Sequence, residues 1–98
     1  MSVENKFILA IDLGTSGPKV AIISIQGELI GSEFEETPIL LPPGGGAEQS
    51  PHDWWNAIEL AGTRLLSRKL VSNDDIVAVA IEADHLKIFV QFGIGIGL

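Results

Sequence analysis

The chain has 98 residues, 13 carboxylates against 6 Lys and Arg, and no cysteine. This allows one small domain with a single core, and excludes disulfides and thiolate metal sites, in keeping with a cytoplasmic setting. The net charge of −7 argues against nucleic acid and against an anionic membrane surface, and no apolar run reaches the roughly 18–20 residues of a membrane helix.

Met1–Lys6 is polar and mixed in charge, and the apolar run after it is short, so it does not fit a secretory leader. Phe7–Asp12 and Val20–Ile25 are rich in β-branched residues, are bounded by turn residues, and read as strands. Both are apolar at nearly every position, which predicts a sheet covered on both faces. Gln26-Gly27-Glu28 is a hairpin turn, and Leu29–Glu36 reads as a third strand whose Glu33, Glu35 and Glu36 suit a sheet edge. Pro42, Pro43 and Gly44-Gly45-Gly46 mark a loop over Thr37–Gln49.

Ser50-Pro51-His52-Asp53 is a helix start, with a cap hydroxyl, a proline in the first turn and an acid near the positive end of the helix dipole. Trp54, Ile58, Ala61 and Leu65 then recur at helical spacing, with Arg64, Arg68 and Lys69 toward the carboxyl end. Asn73-Asp74-Asp75 turns the chain into a fourth strand over Ile76–Ile81. The fold class is therefore α/β: a three-stranded antiparallel meander, a crossover helix, and a fourth strand parallel to a neighbour. From Glu82 the character changes, and residues 82–98 read as an apolar, glycine-containing tail without pattern. Gly93, Gly95 and Gly97 lack the spacing of a dinucleotide fingerprint, and His52 and His85 lack metal-ligand companions.

The most informative stretch is Asp12-Leu13-Gly14-Thr15-Ser16 between two apolar runs. The first strand carries a carboxylate to its tip, and the turn offers backbone N–H groups and hydroxyls of the kind that hold phosphate oxygens. A second stretch, Ala47-Glu48-Gln49-Ser50-Pro51-His52-Asp53-Trp54-Trp55, follows the third strand. The two motifs in this order resemble the N-terminal end of the FGGY family of carbohydrate kinases, most nearly its xylulokinase-like members. The first motif alone is shared with other actin-like ATPases.

The resemblance implies part of a ribonuclease-H-like, actin-like ATPase domain that takes part in phosphoryl transfer from ATP, with Mg2+, to a sugar or polyol hydroxyl. It implies that Asp12 lies near the metal and its waters, that Gly14, Thr15 and Ser16 line the phosphate hairpin, and that Lys19 approaches the transferring phosphate. Glu48 and Trp55 would lie toward the sugar. The family's Gly/Gln-rich sugar segment does not match Glu82-Ala83-Asp84-His85, and its aspartate base lies much further along. Residues 1–81 are thus expected to be the N-terminal part of the first kinase domain, an N-terminal fragment with no catalytic residue of its own and no activity alone. The alternative is a non-catalytic module that pairs with an intact kinase chain through an exposed sheet edge.

Overall fold

The computed structural model describes residues 5–14, 16–38, 44, 50–83 and 86–91. Thr15, Glu48, His85, Gly93, Gly95 and Gly97, singled out from sequence, lie outside the described residues.

The strands β1 (Phe7–Gly14), β2 (Gly17–Ser24) and β3 (Leu29–Phe34) form the expected antiparallel meander. Helix α1 (Pro51–Ser67) and a 3-10 turn (Asn73–Asp75) lead into β4 (Ile76–Ala83), which lies parallel to β1. The structure adds a fifth strand, β5 (Leu86–Gln91), antiparallel to β4 with Leu86 opposite Ala83. In sequence, the polar Glu82-Ala83-Asp84-His85 reads as the end of order. In the fold its first two residues complete β4, and strand-forming Ile88, Phe89 and Val90 follow. The sheet order is β3-β2-β1-β4-β5.

One face of the sheet carries the core. Leu9 and Ile11 of β1, Val20 and Ile22 of β2 and Val79 of β4 pack with Ile58, Ala61 and Leu65 of α1. Leu9, Val20, Ile22 and Leu65 are at most 1% exposed, and burying each such side chain contributes about 1.5–3 kcal/mol. The opposite face, set by the alternate residues, is built of smaller groups: Ala10, Ala21, Ala78 and Ala80, flanked by Ile8 and Ile23. The described residues place a helix on the first face only, whereas the sequence reading expects cover on both.

Ser50 occupies the N-cap position of α1, but its side chain makes no capping hydrogen bond; its carbonyl accepts from Trp54 N–H at 3.1 Å. The helix is anchored at its other end by charge. Arg64 reaches Glu33 and Glu35 at 2.6 and 3.0 Å, and Arg68 reaches Glu33 at 3.1 Å. Between β2 and β3, Gly27 takes a positive φ of 93°, and buried Ser24 ties the turn with its hydroxyl to Glu28 N–H at 3.0 Å. Among the described residues no helix is long and apolar enough to cross a membrane.

Candidate functional site

Two apolar runs end in carboxylates at the same height. Register pairs Ile11 with Ile81 and then Asp12 with Glu82, so the carboxyl ends of the parallel strands β1 and β4 present two acids side by side. On the other flank of β1, Asp12 faces Lys19 of β2, and Lys19 in turn faces Phe34 of β3. Directly opposed residues share a face with Cβ atoms about 5 Å apart, so Phe34, Lys19, Asp12 and Glu82 form one transverse row. All four are exposed. Among the described residues none of the three charged groups in the row makes an ion pair or a hydrogen bond.

The row lies next to the β1–β2 turn. Gly14 opposes Gly17 across a two-residue connection, Thr15-Ser16. Gly17 has φ 144°, and a Cβ there would sit 2.0 Å from the Glu35 carbonyl oxygen. Both facts require glycine. The close approach exists because the chain leaving β3 runs along the turn: Glu35 N–H donates to the Pro18 carbonyl at 3.2 Å and Thr37 N–H to the Ser16 carbonyl at 3.0 Å. Gly14 is under no such constraint, since a Cβ would meet only the Gly17 carbonyl at 3.6 Å. Beside the turn an open pocket of about 520 Å³ is lined by Ser16, Glu35, Glu36, Thr37 and Pro38.

The fold thus brings together Asp12, Gly14, Ser16 and Lys19, which the sequence singles out. Trp55 stands apart near the start of α1, 56% exposed. Its neighbour Trp54 is half-buried, with an indole Nε1 that finds no hydrogen-bond partner among the described residues. Glu82 is the residue that sequence reasoning missed. The available signal was the repeated pattern of an apolar run closed by an acid, Phe7–Asp12 and Ile76–Glu82, which a parallel pairing brings level. Among the described residues no group of three or more His, Asp or Glu forms a ready metal cage. A cation here would need oxygens from a ligand as well.

An antiparallel meander, a crossover helix and a parallel strand, with acids at the carboxyl ends of the parallel pair, define a unit of the actin-like ATPase fold. The solved structure of a xyloylose kinase from Brucella ovis superposes on 80% of this chain with a TM-score of 0.70 and 26% identity. Residues 7–90 match the N-terminal domain of the FGGY family of carbohydrate kinases, and the chain belongs to that family. It is 33% identical over 79 residues to a glycerol kinase of Listeria welshimeri, an alignment covering 81% of this chain and 16% of that protein. With the xylulose kinase of Escherichia coli K12 it shares 40% identity over 53 residues, 54% of this chain and 11% of that one. The matched part of the chain therefore spans about one-sixth of the length of such relatives.

Proposed function

We propose that these residues form one wall of the cleft in which a carbohydrate kinase passes the terminal phosphoryl group of ATP to a sugar or polyol hydroxyl. The observation that carries this reading is the row Lys19–Asp12–Glu82, without a partner among the described residues, beside a glycine-bound turn in a chain of this family. The donor set fits Mg–ATP: Mg2+ is held through one or two carboxylates together with phosphate oxygens, and an exposed ammonium suits the phosphates themselves. When bound, Mg–ATP supplies the transferable group and the cation that offsets its charge.

In this reading Asp12 orients the water shell of the metal, with Glu82 as a second oxygen donor. Lys19 sets positive charge against the phosphate oxygens in a site that works by position and electrostatics. Gly14, Thr15 and Ser16 form the turn that lines the phosphates, while Glu48 and Trp55 belong to the sugar side. The setting is cytoplasmic, where ATP is available. The 79 aligned residues correspond to only 16% of the glycerol kinase, and we expect the 98-residue chain to be inactive alone, the base and the opposite wall of the cleft coming from elsewhere.

The test is an NMR titration of the full 98-residue protein with millimolar Mg–ATP. Amide shifts are expected to centre on Asp12–Lys19 and Glu82, and to shrink in Asp12→Asn and Lys19→Ala. Shifts absent from this region, or unchanged in both variants, would overturn the assignment. A companion assay for sugar-dependent ADP release is expected to read at background, and clear turnover would sink the expectation of inactivity alone.

A further inference from the structure

Among the described residues, the edge strand β3 is closed by side chains rather than by another strand. The bond from Glu35 N–H to the Pro18 carbonyl fixes the phase of the β2–β3 ladder. It makes Phe34 and Lys19 a non-hydrogen-bonded pair, so the N–H and C=O of Phe34 point away from β2, and two residues back those of Ser32 do the same. These outward groups are what an added strand would use. Arg64 Nη2 instead donates to the Phe34 carbonyl at 2.7 Å, and Arg68 Nη1 to the Ser32 carbonyl at 3.3 Å. The same two guanidiniums are held in place by Glu33 and Glu35.

We propose that Arg64 and Arg68 of α1 guard the β3 edge against antiparallel pairing with the β3 of a second copy of this chain. The strand is otherwise suited to it. Leu29 and Phe34 are 58% and 48% exposed, and an unprotected edge with apolar side chains invites self-pairing. Two copies present the same Leu29–Phe34 segment to each other, and two-fold antiparallel pairing aligns their outward groups without any further partner. Glu33 and Glu35 make the guard double. With the arginines in place they fix the forks over the carbonyls, and without them they leave the edge negative.

The test compares the parent chain with R64A/R68A at high protein concentration in about 0.5 M salt, where a Debye length of about 4 Å screens the freed carboxylates. The readout is amide hydrogen exchange at Ser32 and Phe34, whose outward N–H groups have no partner among the described residues. We expect exchange at these two amides to slow by at least about tenfold in the variant, in step with concentration, and not in the parent. Adding F34P should reverse the effect at Ser32, the one of the two amides that remains, since a proline at position 34 gives up only an outward N–H. Should R64A/R68A fail to fold, R64K/R68K carries the test. Lysine keeps charge and stem but cannot bond a carboxylate and a carbonyl through two arms of one fork, so slowing at the same amides is expected in smaller degree. A folded variant that shows no slowing at Ser32 and Phe34, or that associates while these amides stay fast, would overturn the proposal.

Discussion

Two clusters of charge of nearly the same composition sit on this small sheet and behave differently. On the α1–β3 flank, Arg64 and Arg68 meet Glu33 and Glu35, and every member has a partner. At the carboxyl end of β1 and β4, Asp12, Glu82 and Lys19 stand in adjacent register positions with no partner among the described residues. The first cluster is consumed in holding a helix to an edge strand. The second contributes nothing visible to the fold, and unspent charge in register beside a constrained turn is the arrangement a charged ligand can use.

The comparison is broken most severely at the turn that positions the free cluster. Gly17→Ala places a Cβ 2.0 Å from the Glu35 carbonyl oxygen in a backbone region that disfavours side chains. It is expected to cost at least about 2 kcal/mol in chemical denaturation, whereas Gly14→Ala at the other end of the turn should cost clearly less.

The paired cluster should show itself in acid. The hydrogen bond from Arg64, aided by the charges of Arg64 and Arg68, holds the Glu33 carboxyl below the usual carboxylate range. A carboxyl depressed in the folded state contributes stability that is present above its unfolded pKa and is lost as pH falls through the folded value. Denaturation midpoints measured over a pH series should therefore drop on the acid side, and Glu33→Gln should flatten that limb while lowering the plateau. An acid limb unchanged by Glu33→Gln would show that this network does not govern it.

The smallest effect is expected at the free cluster itself. Asp12→Asn and Glu82→Gln remove exposed charges with no partner among the described residues, so stability should stay within about 0.5 kcal/mol of the parent. Any drift should be small in either direction, because each acid stands opposite a lysine in register as well as beside the other acid. A large loss in either variant would mean that these acids hold the fold together, and the contrast between the clusters would disappear.

Much of this was legible in the sequence because local chemistry and tertiary placement agree. Gly27 marks the β2–β3 turn, Pro51 opens the helix, and Ile58, Ala61 and Leu65 lie on its buried stripe as their spacing requires. The hairpin residues Asp12, Gly14, Ser16 and Lys19 also emerge together, because a tight turn places them by sequence separation alone. What escaped depends on partners far along the chain. Glu82 joins Asp12 only through the parallel register of β1 and β4, 70 residues apart in sequence. Strand β5 was hidden by the polar residues before it, and the arginine fork across β3 depends on how α1 lies over the sheet. Ser50 shows the reverse case: a motif in the right place whose hydroxyl makes no capping hydrogen bond.

Gly17 meets the backbone of Glu35 and not its side chain. A defect at position 17 therefore has no remedy at position 35, because exchanging one side chain for another leaves the offending carbonyl where it was. In a genetic screen, suppressors of Gly17→Ala should be missing at position 35 even under saturating mutagenesis. They should arise, if anywhere, in changes that move the whole segment leaving β3.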